Sequence, residues 1–413
     1  MLPKRRLTAK RLQKRLNGRL PTKNAAQARR LTPNTFTTMT INTRELRKRI
    51  ELDGAENTVQ HLTEALKQGD LNPDDFSVRD LAESFLPGGL SQIEQMEILT
   101  EDAAIPLVNT FGAVIDTKIK EAYNQEIFVA SKLVRTIPTR LNGEKIHTFG
   151  TVASSDLSIT AGNTYKTADL HADYIETPGT AKHGLIIPIT KEAVFFDQTH
   201  HLLERAAEVG EILAMNKEKR ILDVVLGIKN TYKQNGTALD TYLSGSSTHP
   251  WKNLLSSNEL LNWESIESAE DVFGAMVDPI SGGPIMLEPN AVLVMPPKRH
   301  LAHRLFYASS VSYEEGSTAT TIRNPFAKYR LVSSRLAYQQ LKAQSGVTNP
   351  EKIWVIGNFR KAFAYMENWG ITVTRSIPGD DADFTRDLVV RFKASERGVP
   401  AVIDPRYVVK CTG

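Results

Sequence analysis

"FFDQTHHLLERAAEVGEILAMNKEKRILDVVLG", residues 195–227, opens with Asp197, His200, His201 and Glu204. These four side chains can ligate a metal or move protons. The rest of the stretch has no proline, and Gly210 is its only interior glycine. A helix over 200–228, about 29 residues at ~1.5 Å each, is about 43 Å long. Leu202, Ala206, Val209 and Leu213, then Arg220 and Val224, repeat every three or four residues, and Leu203, Ala207, Ala214, Ile221, Val225 and Ile228 widen the stripe. Glu204, Glu208, Glu211, Glu218 and Lys219 fall on the other side. Thr199, or alternatively Asp197, is placed to cap it. The stretch predicts a long one-sided helix, too long to be covered by a small domain of its own.

As a metal site the cluster is weak. His200 and Glu204 share a face, but adjacent histidines point about 100° apart on a helix. No second helix carries a matching Glu-x-x-His, and no His-Glu-x-x-His occurs. The polar start of a helix is the simpler reading.

The 413 residues suffice for two or three domains, with 41% hydrophobic and 24% charged residues, as in a soluble globular chain. No apolar run approaches the ~18 residues of a membrane span. Cys411 is the only cysteine, which excludes a disulfide framework or a cysteine metal cage within one chain and suits a reducing compartment.

The net charge of +4 hides a polarity. Residues 1–50 hold 15 Lys and Arg against one acid, Glu45, whereas residues 51–102 hold 2 against 13 acids. The rest is nearly neutral. In the basic arm, Leu7, Leu12, Leu16 and Leu20 lie among Arg5, Arg6, Lys10, Arg11, Lys14 and Arg15. Three readings are open: an organelle transit peptide, a tail that binds phosphate or RNA, and a tail that is solvated or docks on the acidic segment behind it. No aromatic residue precedes Phe36, so base stacking is not indicated. The acidic segment reads as short helices. Asn57 is placed to cap one that Gly69 ends, and Ser77 with Asp80 forms a capping box for a second. It looks like a partly independent region ending near 98–108.

The body begins with a helix over 111–125. Two strands flank Asn142-Gly143, a hairpin signal. Residues 151–180 are polar and exceed a normal connection, so they form either a disordered stretch or an arm that finds its partner outside the subunit. A strand over 182–190 returns. If it pairs with the strand before the excursion, the whole is a long β-hairpin. An α+β piece comes next over about 262–358, in which 312–330 reads as a long loop. Four strand-like segments close the chain as an antiparallel sheet over the long helix.

Catalytic signatures are absent from the sequence: no phosphate loop, dinucleotide fingerprint, nucleophile elbow or cysteine pair. His300 and His303 share one basic helix and read as surface or packing residues. Asp380, Asp381, Asp383 and Asp387 lack the glycine and terminal glutamate of a calcium loop. No catalytic, cofactor-binding or metal residue is assigned, and a structural protein rather than an enzyme is expected.

The order of polar hairpin, "TPGTAKHGLIIPITKEAVF", long helix, α/β piece and closing "IGNFRKAFAYMENWGITVTRS…DFTRDLVVRFKASERGVPAVIDPRYVVKC" resembles the major capsid proteins of tailed phages and prophages, over about 105–413. The signal is order and spacing, with no catalytic motif. The resemblance implies an α+β, Hong Kong 97-type fold. It assigns 1–104 to a charged scaffold-like region (basic 1–50, acidic 51–102) that a maturation protease removes in some relatives. It assigns 105–144 to an N-arm and the start of a peripheral domain, 145–182 to an extended loop overlapping a neighbour, and 183–261 to the peripheral domain with a spine helix at 200–228. An axial domain over 262–375 and peripheral return strands over 376–413 complete it. Lys166, the only lysine between Lys145 and Lys182, is the candidate inter-subunit loop contact. Arg5, Arg6, Lys10, Arg11, Lys14 and Arg15 are candidate contacts to nucleic acid or scaffold. The implied role is a subunit of an icosahedral head shell, built from pentamers and hexamers in the bacterial cytoplasm. Its implied partners are itself, non-specifically bound double-stranded DNA, a portal and a protease, with no cofactor and no membrane. An encapsulin-like compartment shell and a basic-tailed nucleic-acid-binding protein are the alternatives.

Overall fold

The computed structural model describes residues 43–85, 101–149, 172–230, 232–245, 251–277, 284–315, 318–376 and 388–413. The acidic segment folds into helices α1 (Thr43–Asp53), α2 (Ala55–Gln68) and α3 (Val78–Phe85). Ser77 Oγ accepts the Asp80 amide at 3.2 Å, as the capping box requires. Asn57 does not cap: α2 begins two residues earlier, and Asn57 Nδ2 donates to Asp53 O at 2.8 Å. Val59, Leu62, Ala65 and Leu66 of α2 are buried, as are Leu81, Ala82 and Phe85 of α3.

These helices pack on α4 (Glu101–Tyr123), and Lys118 of α4 pairs with Asp74 at 2.7 Å. No residue of α4 between 106 and 119 is exposed. A helix with no exposed face over these turns is enclosed by its neighbours. Here α2 and α3 cover one flank, and the long helix and a sheet cover the other. The expected domain division at 104/105 therefore falls inside a helix. In the full-length chain the acidic segment is part of the packed body rather than an independent region, because α2 and α3 cover one flank of α4.

After a short α5 (Ala130–Leu133) come β1 (Arg135–Pro138), β2 (Lys145–Phe149), β3 (Ala172–Glu176) and β4 (Ala181–Thr190). Helices α6 (Lys191–Phe195) and α7 (Thr199–Val225) come next. The first sheet has the order β1-β13-β14-β4, where β13 spans Phe363–Ser376 and β14 Leu388–Val402. Only β1 runs parallel to its neighbour. Helix α7 lies on this sheet and on α4. It stops at Val225, three residues before the expected end, as the chain turns at Gly227 with φ 67°. Gln198 precedes it without a side-chain cap, so neither expected capping residue occupies the cap position.

Asn142-Gly143 does not make the expected hairpin. β1 joins β13, whereas β2 pairs antiparallel with β3. Asn142 Oδ1 instead accepts the Thr180 amide at 2.8 Å, tying the turn to the return of the chain. The hairpin flanking the polar excursion is thus β2–β3, and β4, with Lys182, belongs to the first sheet. β3 also pairs with the small hairpin β5 (Lys233–Gln234)–β6 (Thr237–Ala238).

The second sheet is β11-β8-β12-β15-β7, comprising β7 (Leu254–Leu255), β8 (Ala291–Val294), β11 (Arg330–Ser333), β12 (Trp354–Gly357) and β15 (Val408–Cys411). Helices α8 (Trp263–Gly274) and α9 (Arg299–Tyr307) pack on one face. The other face, with α10 (Arg335–Ala343), meets the C-terminal end of α7. The short α11 (Phe359–Ala362) leads into β13. The polar run read as a loop is a two-stranded hairpin, β9 (Ser310–Glu315) and β10 (Thr318–Arg323). Its threonines suit a strand but give no core-facing alternation to read. The boundary at 375/376 cuts β13, which lies in the first sheet from Phe363 onward, and the last return strand, β15, joins the second sheet. Backbone pairing, rather than sequence order, sets both memberships.

Gly210 allows α7 to touch α4: a Cβ there would lie 2.5 Å from Ile119 O and 3.0 Å from Ala122 Cβ. Gly210→Ala is expected to lower stability by about 1–3 kcal/mol through overpacking. Gly274→Ala, whose Cβ would meet nothing within 4 Å, is the control and is expected to leave the melting temperature unchanged or slightly raised. Equal melting temperatures for wild type and Gly210→Ala would refute the close-approach argument.

Candidate assembly surfaces

The interface between α7 and the first sheet holds a buried polar joint. Glu396, on β14, is 1% exposed. Its two oxygens accept from Arg220 Nη2 of α7 and from the Tyr123 hydroxyl of α4. Arg220 Nη1 also donates to Gly398 O at 3.1 Å, and its Nε donates to Asn216 Oδ1 at 2.9 Å. One turn earlier, Lys217 Nζ reaches Glu367 at 3.3 Å and lies 4.2 Å from the Tyr365 ring centre. Burial, then the neighbouring Glu396 charge, pushes the Tyr123 and Tyr365 hydroxyls well above their ordinary range, so both stay protonated. Gly398 makes room for Tyr365, since a Cβ there would sit 2.7 Å from its ring. His183 faces Glu396 across the β4–β14 ladder. Its Nε2 is buried without a hydrogen-bond partner among the described residues, and burial with the nearby Arg220 charge holds its pKa below the usual value.

Glu218 works on the other side of α7. It is 2% exposed and accepts the amides of Val129, Ala130 and Ser131 at 2.6–3.0 Å, satisfying the free N–H groups at the start of α5. Reading Glu218 as part of the exposed face was therefore wrong, because the free amides of α5 draw it inward. At the end of α7, Lys410 Nζ of β15 donates to Leu226 O at 2.7 Å, and burial lowers its pKa to about 8. This contact ties the second sheet to the helix C-terminus, where a cation is favoured.

The outer surface carries exposed apolar positions. Ile212 and Met215 interrupt the acidic stripe of α7, at 46% and 43% exposure, and Ile186 on the edge strand β4 is 59% exposed. His200 and His201 contact Glu204 at 3.2 and 3.5 Å on the surface. Among the described residues no group of three or more potential ligands forms a metal site. Cys411 is buried, and burial raises its thiol to about 12. Arg5, Arg6, Lys10, Arg11, Lys14, Arg15 and Lys166 lie outside the described residues, as do Asp380, Asp381, Asp383 and Asp387. The structure therefore brings none of them to a site. What the sequence reading missed is the charged joint. Its one signal was Arg220 recurring at an apolar position of the long helix.

A family model described as phage capsid protein matches residues 175–411, more than half of the chain. The chain belongs to this family. It is a shell subunit, and its architecture is α+β. No curated protein matches. Among solved structures, the capsid of a native GTA particle is similar at 10% identity and TM-score 0.42, over 70% of this chain and 90% of that one. A structure from Mycobacterium phage Ogopogo gives 13% and 0.39, over 69% and 91%. The holo-SrpI encapsulin complex from Synechococcus elongatus gives 10% and 0.40, over 70% and 87%.

Removing one member of a buried charge pair strands the other. Glu396→Ala is expected to cost about 3–5 kcal/mol in denaturant melts, whereas Glu204→Ala, on the exposed surface, is expected to change nothing measurable. Comparable losses from both would sink the assignment of the joint. A second check uses the thiol. Cys411 is expected to resist a thiol-specific reagent in the native protein and to react on unfolding, as a buried, protonated thiol does. Rapid native labelling would contradict the packing around β15.

Proposed function

We propose that the chain is the structural, non-enzymatic subunit of an icosahedral phage or prophage head. It assembles as pentamers and hexamers and encloses double-stranded DNA. The observation that carries this reading is that the capsid family match spans α7, the second sheet and three of the four strands of the first sheet. The first sheet with α7 acts as the peripheral domain, and the second sheet with α8 and α9 as the axial domain. The edge strand β4 and the exposed Ile212 and Met215 offer lateral contact area. The β2–β3 hairpin leads into the extended loop carrying Lys166, which reaches a neighbour.

The charged N-terminal region serves assembly from inside. Arg5, Arg6, Lys10, Arg11, Lys14 and Arg15 hold acidic helices of neighbouring copies or face DNA, and a maturation protease removes the region, which uncovers the flank of α4 that α2 and α3 cover in the full-length chain. A portal completes the shell, which is built in the host cytoplasm and ends in the virion.

Electron microscopy of the purified protein tests the reading. Icosahedral shells large enough for a genome are expected. Small shells around protein cargo would instead indicate a compartment, and no shell would refute the proposal. Mass spectrometry of DNA-filled particles is expected to find chains lacking the N-terminal region, and a majority of chains beginning near Met1 would refute its removal.

A further inference from the structure

Two helices of the second sheet carry opposite, unmixed charge. Helix α8 holds Glu264, Glu267, Glu270 and Asp271 with no Lys, Arg or His. Helix α9 holds Arg299, His300, His303 and Arg304 with no acid. Both sit on the same sheet face, where Ile266, Ala269 and Phe273 of α8 share one core with Ala302 and Phe306 of α9. They occupy different ends of it: α8 packs at β15 and α9 at β11, three strand spacings apart in the sheet order. At ~4.8 Å per spacing that is about 14 Å, more than the ~8 Å over which charges act through physiological salt.

Tyr329 touches both helices, its hydroxyl meeting Glu270 of α8 and its ring edge-on to Phe306 of α9 with ring centres 5.8 Å apart. Among the described residues only Glu270 of these acids has an ion-pair partner, accepting from the Tyr329 hydroxyl and pairing with Lys328 at 3.1 Å. Glu264 accepts from Asn262 at 3.0 Å. Glu264, Glu267, Asp271, Arg299 and Arg304 are exposed, and none has an ion-pair partner among the described residues. Like charges spaced three and four apart on a helix repel one another. A surface of opposite sign relieves that cost.

We infer that the acidic face of α8 in one copy docks against the basic face of α9 in the next. Each copy carries both halves, so the contact repeats from subunit to subunit. This rests on the shell reading and names a pair of mating surfaces for it. A polyanion such as DNA would satisfy α9 alone and leave α8 unexplained, whereas a second copy satisfies both. Contacts of this kind select partner and orientation more than they add affinity.

The test uses full-length chains. With Glu270 paired to Lys328, Glu267→Lys with Asp271→Lys turns the unpaired charge of α8 from three negative to one net positive, and Arg299→Glu with Arg304→Glu makes both helices negative. All four positions are exposed, so melting temperatures are expected to stay near wild type. Each double variant alone is expected to raise the concentration needed for assembly about tenfold or more. Mixing the two, or combining all four reversals in one chain, is expected to restore assembly. Assembly of either double variant at the wild-type concentration overturns the inference, as does failure of both the mixture and the fourfold chain. An Arg299→Glu, Arg304→Glu variant that assembles normally but retains less DNA overturns it in favour of nucleic acid. If wild type builds no shell, the shell reading fails separately. The pairing is then read by ultracentrifugation, where association of the mixed variants beyond either alone supports it and no gain overturns it.

Discussion

The buried contact between Arg220 and Glu396 is the constraint around which the body is arranged. Apolar packing is non-directional and would hold α7 on its sheet in several registers. A carboxylate at 1% exposure permits only one, because it must meet its guanidinium and its tyrosine hydroxyl. Desolvating these charges is costly, so the pair fixes position more than it adds stability. Tyr123 brings α4 into the same contact, and Lys217 with Glu367 repeats it one helical turn away.

From that joint α7 reaches both sheets. Its C-terminal Ile221, Leu222, Val224 and Val225 share one apolar core with Leu293 and Val355 of the second sheet and with Phe363 and Tyr365 of the first. Lys410 closes the far end on the Leu226 carbonyl. The helix thus couples the two sheets within one subunit. Rigidity of this kind suits a wall element, whose outer contacts must meet those of its neighbours at fixed angles.

Much of this was legible in the chain itself. The long helix, the Ser77 capping box and the stop at Gly69 are local patterns, and local patterns survive in the sequence. Strand pairing was less so. Asn142-Gly143 carries a genuine turn signal, yet its flanking strands found partners more than two hundred residues away or across a polar excursion. The β9–β10 hairpin has strand formers without alternation, so nothing distinguished it from loop. Glu218 looked like surface because its hydrogen-bond donors, the free amides of α5, lie about ninety residues away.

By itself, the sequence determined the periodicities, the charge polarity between arm and acidic segment, the lack of a catalytic motif and the order of elements that marks the family. These depend on neighbours along the chain. The tertiary structure alone decided which carboxylates are buried, which strands share a sheet and where α4 finds its cover. Those outcomes depend on long-range contacts, in which a charge is stable inside only when a specific partner from another element arrives beside it. Spacing along one chain does not encode that meeting.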